Sequence, residues 1–573
     1  MSRDAANLFE KNLIALDSIY PSLAKLLREY PSADEPEIAP PSEAAEEWNP
    51  DADIHIVYRF SHSPLARRLF DRLNLEELRR ERNRRLLLIE DRLILFRDDL
   101  MKEDWRPLVL ADHCLFLVHH SFQDGLRRFL AQYPDIAWGT IQFHTGADRP
   151  EEAIRFIQSL FKSARNALSQ NIEHFINLQN KKTMPPYPQN IRFFVPGHNY
   201  LQDAAIRALR RLGYGSDRLA WKNPLYRFTR ATAWMKDMQE QEIDAAIFLN
   251  STPAIFTRDS ALQRLPIHRA AWFVDNPRRY VSDPSDLEGC DAIGVFDRTY
   301  IPYLRARTQA PILEVRTGYG IEFNDPIPQD SSIDIAFVGE LGANGFLPLE
   351  RGFLRLDPNI VTTTNTFLKQ IDITQPIDLS PLAEKIFAEK GVEYRGALVD
   401  YLENKAAALR RRYFLEALAD QGLAIFGGED WSNAEFAGPL TACFAGKRLN
   451  YTSELPRLYA SAKINVNLFH PQCVSAPNPR VYDVLACGGF LLTSWNPGLE
   501  NEFTAGEDLV VFHTKEELRK LAAYYLAHPA ERRRIAENGR RKTLAKCGYD
   551  GRMQQLLSAL ITTIGDSYVY LCR

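Results

Sequence analysis

Short apolar runs alternate with amphipathic stretches in three successive series, and this alternation constrains the fold more than any other feature of the chain. The series begin at Ile54, Ile191 and Asp334. Alternation of strand-like and helix-like segments is typical of α/β domains, in which crossover helices join parallel strands. The near-continuous apolar runs of the second and third series indicate strands that are covered on both faces. We therefore predict an α/β protein with doubly wound parallel sheets.

Proline-rich stretches mark the boundaries between these series. At about 100–200 residues per domain, a chain of 573 residues is too long for one hydrophobic core. The acidic stretch Pro31 to Asp53 lacks periodicity, and three prolines interrupt Met184 to Asn190. The predicted segments are a helical amino terminus at 1–30, a linker at 31–53, an α/β domain at 54–187 and two Rossmann-like domains at 191–330 and 331–573. Two adjacent Rossmann-like domains imply a cleft between them.

The composition excludes several classes of function. With 70 basic and 74 acidic residues the net charge is −4, so no global field is available to hold nucleic acid or an anionic membrane. The seven cysteines are scattered and form no CxxC pair, which argues against a disulfide framework and a zinc site. His119 and His120 are adjacent on a predicted strand and point to opposite faces, so we expect no metal there. Without an apolar leader or a run of about 18 apolar residues, the chain is predicted to be cytoplasmic and to lack a membrane span.

The stretch NPRVYDVLACGGFLLT, which begins at Asn478, predicts a short helix that leads into a strand. Asn478 is a strong N-cap type, and Pro479 occupies the first helical position of a helix over 479–487. Arg480 falls in the first turn, where the helix dipole disfavours a cation, so an anion is expected nearby. A salt bridge from Arg480 to Asp483 is one interpretation. The other is a phosphate at Arg480 with Asp483 accepting hydrogen bonds from a ribose, which a nucleoside diphosphate would satisfy together.

Two other strand ends of the third series offer candidate donor contacts. Gly339 and Glu340 follow the run DIAFV, where a strand-to-helix turn lets the backbone approach a ligand; a plain tight turn is the alternative. Gly427 lies at a similar strand end in IFGGEDW, and Trp431 is either a platform for a nucleotide base or a core residue.

The second series supplies candidate residues on the acceptor side. His198 in VPGHNY and Asp275 in WFVDNP both follow predicted strands at the same sheet edge, and they are rival candidates for the catalytic base. Capping or packing is the alternative role for His198. Arg316, Gly318 and Tyr319 in VRTGYG lie near the crossing between the two domains, where they either meet the donor phosphates or form a hinge turn.

The second and third series together resemble the CgeB-like glycosyltransferases. The resembling stretches are RAAWFVDNP, DIAFVGE, AIFGGEDW, LPRLYASAKINVNL, SAPNPRVYDVLACGGFLLT, ENEFTAGEDLVVF and KEELRKLAAYYLAHPAERRRIAENGRRK. The resemblance implies a GT-B fold whose carboxy-terminal domain holds a nucleotide sugar, whose amino-terminal domain receives the acceptor, and which generally needs no metal. It also implies a ribose contact at Asp483, where the group usually has glutamate. Ser475 stands where related retaining enzymes place a glutamate near the donor sugar.

The stretch from Arg85 to Val109 resembles a segment of motility accessory factors, which participate in the glycosylation of flagellins. This resemblance implies a protein acceptor, and an unrelated α/β module is the alternative.

We therefore predict a glycosyltransferase that moves a sugar from a UDP-, GDP- or dTDP-sugar to a hydroxyl of a protein or a glycan, with no bound cofactor. Two alternatives remain open. One is a non-catalytic GT-B scaffold, which would also explain a serine at 475 in place of an acidic residue and an aspartate at 483 in place of the longer glutamate. The other is a sugar-nucleotide epimerase on the same fold. The sequence does not indicate an oligomeric state.

Overall fold

The chain divides into two compact units. The first contains residues 1–182 and 221–240, and the second contains residues 183–220 and 241–573. The computed structural model describes residues 3–29, 52, 54–61, 63–77, 85–111, 114–119, 121–132, 134–137, 140–144, 151–179, 191–196, 200–217, 243–252, 267–321, 333–390, 395–446 and 448–571. The predicted linker at 31–53 therefore lies outside these residues except at position 52, and so does His198.

The first unit is built on a parallel sheet of four strands in the order β3-β2-β1-β4. Its strands are β1 (Ile54–Tyr58), β2 (Arg85–Glu90), β3 (Cys114–Val118) and β4 (Ile141–His144). Its helices are α1 (Arg3–Ile19), α2 (Pro21–Glu29), α3 (Leu65–Glu77), α4 (Leu93–Lys102), α5 (Arg106–Val109), α6 (Phe122–Gln132) and α7 (Glu151–Gln179). These strands and the long α7 confirm the alternation predicted for the first series.

Both faces of this sheet are covered by helices. On one face, Leu13 and Leu16 of α1 share a core with Leu69 of α3, Phe96 of α4 and Phe116 of β3. On the other face, side chains of α6 and α7 pack against β1, β2 and β3. The amino-terminal helices are thus part of the core of the first unit, because their apolar stripe completes one layer over the sheet.

The second unit begins with a parallel sheet of six strands in the order β10-β9-β8-β7-β5-β6. These strands are β5 (Arg192–Phe194), β6 (Gly215–Asp217), β7 (Ala245–Leu249), β8 (His268–Phe273), β9 (Ala292–Val295) and β10 (Ile312–Glu314). The helices α8 (Tyr200–Arg211) and α9 (Ile301–Arg305) belong to the same stretch of chain. The second series predicts five strands, and they form β5, β7, β8, β9 and β10: IRFFVPG, DAAIFLN, RAAWFVD, CDAIGVFD and PILEVRTG. Among the described residues, β6 was not anticipated.

The second sheet of this unit has five parallel strands in the order β12-β11-β13-β14-β15. They are β11 (Ile335–Val338), β12 (Leu423–Phe426), β13 (Ile464–Asn467), β14 (Leu491–Ser494) and β15 (Val510–Phe512). The helices are α10 (Ala343–Leu356), α11 (Pro358–Gln370), α12 (Ser380–Lys390), α13 (Arg395–Leu415), α14 (Ala434–Ala437), α15 (Leu455–Ser461), α16 (Pro479–Ala486), α17 (Lys515–Ala527), α18 (Pro529–Lys546) and α19 (Tyr549–Leu571).

The last helix, α19, packs on the first sheet of the second unit although it follows the second sheet in the chain. Met553, Leu556 and Leu560 share a core with Trp272 of β8 and Ala205 of α8. The predicted boundary at 330/331 does not anticipate that α19 packs on the first sheet, because the apolar face of a helix does not indicate which sheet it will cover.

The carboxyl edges of the two sheets in the second unit face each other. Gln472, beyond β13, donates from Nε2 to Asp275 Oδ1 beyond β8 at 2.7 Å. The backbone N–H of Ser475 donates to Asp297 Oδ2 beyond β9 at 2.6 Å. Parallel sheets bind ligands outside the carboxyl ends of their strands, so this junction is the expected site of function. The predicted α/β class with parallel sheets is confirmed.

Candidate functional site

Helix α16 lies at the point where the strand order of the second sheet reverses. The chain passes from β11 to β12 on one side of β11 and then to β13 on the other. The helix begins at Pro479, as predicted, but the Asn478 side chain makes no capping bond; its Nδ2 donates to Asn467 Oδ1 at 3.1 Å instead. The Asn478 Oδ1 atom is buried and has no hydrogen-bond partner among the described residues. Asn478 is thus the N-cap residue, as predicted, without a hydrogen bond from its side chain to the helix.

Arg480 lies in the gap between the ends of β11 and β13. Its Nη1 donates to Asn467 Oδ1 at 3.0 Å, and its guanidinium carbon is 5.6 Å from the centre of the Phe337 ring. A Cβ atom on Gly339 would lie 3.1 Å from Arg480 Nη2, and Gly339 has a φ of +156°. The structure therefore brings Gly339, Asn478 and Arg480 together, and the missing side chain at Gly339 leaves room for the guanidinium.

A second guanidinium, that of Arg411 on α13, lies close to Arg480. Its Nη1 donates to the carbonyl of Leu341, just beyond β11, at 3.1 Å. Burial, together with the charge of Arg480, lowers the pKa of Arg411 to about 10. Within the described part of the chain, neither guanidinium pairs with a carboxylate, and the predicted alternative of an Arg480 to Asp483 salt bridge is not found. Two guanidiniums without a carboxylate in direct contact are thus concentrated at the switch point of the second sheet, and Glu340, Asp430 and Asp483 are the carboxylates whose charges oppose theirs.

Three other predicted donor contacts have local partners in the protein. Trp431 is 0% exposed, donates from Nε1 to the carbonyl of Gly339 at 2.7 Å and packs edge-on against Phe337. The prediction that it stacks on a base is wrong, since both faces of its ring lie in the core. Gly427 has no room for a side chain because a Cβ atom would lie 2.2 Å from that same carbonyl. The half-exposed Glu340 forms an ion pair with Arg448 at 2.5 Å.

Asp483, the predicted ribose contact, uses both carboxylate oxygens within the protein. Oδ1 accepts from the backbone N–H of Gly320 at 2.9 Å, and Oδ2 accepts from the Tyr451 hydroxyl at 2.9 Å. The residue is 3% exposed. Burial raises its pKa to about 6, against the opposing effect of these hydrogen bonds. A ribose hydroxyl would therefore have to replace that of Tyr451.

Ser475 joins the two halves of the second unit, of which the first half is built on the six-stranded sheet and the second half on the five-stranded sheet. Its backbone N–H and its hydroxyl donate to Asp297 at 2.6 Å and 2.5 Å. Its Oγ also lies 3.0 Å from the hydroxyl of Thr299. These contacts place Ser475 at the junction of the sheets and leave its hydroxyl engaged with the first half.

Arg316 is already neutralised by carboxylates, so the prediction that it meets the donor phosphates is wrong. It is buried, lies 2.9 Å from Glu314 and 3.4 Å from Glu502, and donates from Nη1 to the carbonyl of Gly498. The neighbouring backbone packs against the turn between α18 and α19. A Cβ atom on Gly318 would lie 2.5 Å from the Cys547 carbonyl, which also accepts from the Tyr319 N–H at 3.2 Å. The segment forms a tight crossing between the halves.

Asp275 is half-buried where the two carboxyl edges meet. Its Oδ2 accepts from Asn250 Nδ2 at 2.6 Å, and its Oδ1 accepts from Gln472 Nε2 at 2.7 Å. The Tyr280 hydroxyl lies 3.4 Å from Oδ2. No lysine, arginine or histidine of the described residues is within ion-pairing distance of this carboxylate. Asp275 therefore has only neutral hydrogen-bond partners where the two sheets meet, and its rival His198 lies outside the described residues.

Four residues of the site were not singled out in the sequence: Asn250, Arg411, Asn467 and Gln472. Asn250 and Asn467 each end an apolar run, which is a signal that sequence analysis can use, because strand ends of parallel sheets carry function. Arg411 lies in a run of three arginines, a pattern typical of a solvated helix face. The sequence around Arg411 therefore gives no indication that it belongs to a site. Within the described part of the chain, no group of three or more histidine, cysteine, aspartate or glutamate side chains is placed to hold a metal ion. Over the same residues, no helix combines the length and the apolar character needed to cross a membrane.

Part of the chain is similar to a known protein family. Residues 410–558 match a family model described as Glycosyl transferase-like. Similar solved structures include a glycosyltransferase from Rickettsia africae at 12% identity, with a TM-score of 0.36 over 66% of this chain and 99% of that one. They also include Anabaena HepE in complex with UDP at 12% identity, with a TM-score of 0.36 over 65% of this chain and 100% of that one. No curated protein sequence matches the chain. The chain is thus glycosyltransferase-like over residues 410–558, the segment that contains Arg411, Arg480 and Asp483.

Proposed function

We propose that the second unit transfers a sugar from a nucleoside-diphosphate sugar to a hydroxyl acceptor. The observation that carries this proposal is the pair of guanidiniums at the end of β11, with Arg480 beside Gly339 and Arg411 beside Leu341, neither of which has a carboxylate partner within ion-pairing distance among the described residues. Like charges brought together in a half-buried site call for an anion, and arginine forks match phosphate oxygens. The family match of residues 410–558 favours a transferase among the proteins that bind nucleotides at such a site.

The chemistry of the site is the stabilisation of a leaving group. When the bond from the sugar to the diphosphate breaks, negative charge develops on the outer phosphate. Arg480 and Arg411 would neutralise that charge, and the backbone N–H of Arg480 in the first turn of α16 would donate to the same oxygens. The contribution expected of one such donor is about 2.7–4 kcal/mol of transition-state stabilisation.

On the acceptor side, Asp275 is the base that the geometry supports. It would accept the proton of the acceptor hydroxyl as the new bond to the sugar forms, with His198 as the rival for this role. Asp483 would bind the ribose after the Tyr451 hydroxyl has moved away. Glu340, Gly427 and Ser475 would line the donor site without a separate chemical role.

The finer assignments follow from the resemblances in the sequence. We place the chain among the CgeB-like glycosyltransferases, as a metal-independent enzyme of the cytoplasm with a UDP-, GDP- or dTDP-sugar as donor. The acceptor would be a protein such as flagellin or a surface polysaccharide. The stretches RAAWFVDNP and SAPNPRVYDVLACGG support the first assignment, and Arg85 to Val109 supports a protein acceptor.

A second candidate function is nucleotide binding without catalysis. It is favoured by the internal hydrogen bonds of Asp483 and Ser475, which occupy the positions where related enzymes contact the donor. This protein would bind a nucleoside diphosphate and transfer nothing.

The test measures thermal stabilisation by UDP, GDP, dTDP and CMP. A ligand at 100 times its dissociation constant stabilises the folded state by about 2.7 kcal/mol, which raises the melting temperature by a few degrees. We expect one nucleoside diphosphate to stabilise the wild type and to stabilise neither Arg480→Ala nor Arg411→Ala. Arg412→Ala is the matched control, because Arg412 is the next residue on α13 and pairs with Glu416 at 2.8 Å.

Hydrolysis of the matching nucleotide sugar then separates the two candidates. Release of free sugar by the wild type, and its loss in Arg480→Ala, would support the transferase. Binding without any release would favour the second candidate. Equal nucleotide binding by the wild type and Arg480→Ala would refute the site itself.

A further inference from the structure

We propose that Asn250 and Gln472 are positioning residues that hold the Asp275 carboxylate in place and aim it into the cleft. One lies in each half of the second unit, and together they donate to both oxygens of Asp275 at 2.6 Å and 2.7 Å. The inference rests on the proposed function, in which Asp275 accepts the proton of the acceptor hydroxyl.

Asn250 fixes Asp275 through its backbone and its side chain at once. Its Oδ1 accepts from the N–H groups of Val274 and Asp275 at 2.9 Å and 3.1 Å, while its Nδ2 donates to Asp275 Oδ2. Asn250 has a φ of +49°, a left-handed conformation that asparagine tolerates better than most residues. A strained backbone at the end of β7 is retained where the surrounding contacts require it, and here those contacts define the direction of Asp275.

Gln472 brings the second half to the same carboxylate. Its Nε2 donates to Asp275 Oδ1, its Oε1 accepts from the Asn276 N–H at 3.3 Å, and its carbonyl accepts from the Tyr300 hydroxyl at 2.7 Å. Three bonds therefore tie one residue beyond β13 to the first half. The second oxygen of Asp275 is held only in this arrangement of the two sheets, so the base is complete only when the halves meet in this way.

Two neutral amides differ chemically from an arginine as partners of a base. Hydrogen bonds from amides favour the ionised carboxylate without cancelling its charge, and each oxygen keeps a lone pair for a further proton. Asp275 can therefore take the proton of the acceptor hydroxyl while that oxygen bonds to the sugar and the diphosphate leaves. The other titratable groups that interact with the Asp275 charge are Tyr200, Arg279 and Cys473, with Tyr280 beside it. Arg279 is already paired with Asp400 and Glu403.

The test replaces each amide by the carboxylate of the same shape, in Asn250→Asp and Gln472→Glu. Aspartate at 250 keeps the acceptor for the two N–H groups and tolerates the left-handed backbone, but it sets a second negative charge beside Asp275. Like charges at this distance raise the pKa of one member of the pair. For the hydrolysis of UDP-, GDP- or dTDP-glucose we expect the acidic limb of the pH profile of kcat to move up by at least about one pH unit. Within the acidic limb kcat should fall roughly tenfold with KM unchanged, since neither residue contacts the donor in the proposal.

Asn433→Asp is the matched control, because Asn433 also accepts from a backbone N–H, in a cap remote from Asp275, and aspartate caps equally well. An unshifted pH profile in folded Asn250→Asp would overturn the inference and leave the proposed function standing. A wild type inactive towards all three sugars would count against the proposed function instead.

If the wild type is inactive, a measurement of stability against pH still tests the roles of Asn250 and Gln472. Asn250→Asp should lose stability as the pH rises from 5 to 8, because its shared proton is released, and the exchanged pair Asn250→Asp with Asp275→Asn should restore the wild-type profile. Identical profiles for the single and the exchanged variants would overturn the inference.

Discussion

The sheet of the first unit and the second sheet of the second unit share one architecture, yet their carboxyl edges carry opposite electrostatic designs. In the first unit the arginines at the strand ends are paired: Arg59 donates to both oxygens of Asp91 at 3.0 Å and 3.1 Å, and Arg92 lies 2.9 Å from Glu90. In the second unit Arg480 has only neutral hydrogen-bond partners among the described residues. In the proposed function, the phosphate site therefore depends on arginines without a carboxylate in direct contact and not on the parallel sheet alone.

The largest effect should come from breaking the compensated edge of the first unit with Glu90→Gln. Glu90 is 0% exposed and accepts from the Ser61 N–H, the Arg92 N–H and the Arg92 guanidinium. Loss of its charge leaves a partly buried guanidinium without a counter-ion, so we expect the unit to lose about 3–5 kcal/mol of unfolding free energy. Calorimetric or denaturant unfolding measures this loss.

The control for this variant is Asp124→Asn, which opens an exposed ion pair with Arg127 in the same unit and should change stability by no more than about 0.5 kcal/mol. Nucleotide binding should survive Glu90→Gln unchanged. A loss of binding would show that the compensated edge takes part in the site, and the contrast between the two edges would fail.

The two units should also respond to pH in opposite directions. Burial and the nearby Arg72 lower the pKa of His144 to about 4, and its Nε2 lies 2.9 Å from His55 Nδ1. The unfolded chain binds this proton more tightly, so the first unit should lose stability, on the order of 3 kcal/mol, as the pH falls from 6.5 to 4. The pKa of Asp483 is raised to about 6, so its effect on stability has the opposite direction. The stability that it contributes to the second unit is present below pH 3.8 and is lost as the pH rises to 6.

Unfolding at pH 4 to 7 in His144→Gln checks this contrast, because the variant should lose the acid-sensitive part of the stability profile. His174→Gln, at an exposed position on α7, should keep it. Equal acid sensitivity of both variants would contradict the assignment to His144.

The smallest effect is expected from Tyr451→Phe in the second unit. The Tyr451 hydroxyl donates to Asp483, and its ring stacks 4.2 Å from that of Tyr200 across the cleft. Removal of the hydroxyl should cost about 1 kcal/mol of stability and free one Asp483 oxygen for the ribose. We expect the dissociation constant of the nucleoside diphosphate to fall a few-fold, measured by calorimetric titration against Tyr200→Phe as control. Weaker binding by Tyr451→Phe would argue that Asp483 has a structural role only.

The part of the site that lies at strand ends was predictable from the sequence. Gly339, Arg480 and Asp275 follow strand-like runs or begin the helix after one, and parallel connectivity alone brings such positions to one edge. Trp431 and Arg316 have the same kind of position, yet one is buried against Phe337 and the other is neutralised by Glu314 and Glu502. Exposure and charge pairing depend on residues far away in the chain, so local sequence cannot rank these candidates.

The sequence by itself determined the α/β class, the strands of three sheets except β6 and the helix that begins at Pro479, because hydrophobic periodicity and cap chemistry are local properties. Only the tertiary structure decided that α19 returns to the first sheet of the second unit, that Arg411 comes beside Arg480 and that Gln472 reaches Asp275. Each of these contacts joins segments separated by at least 69 residues in the chain, as in the bond from Arg411 to Leu341 at a separation of 70 and that from Gln472 to Asp275 at 197. Such contacts form because burying apolar faces and satisfying polar groups are properties of the whole fold.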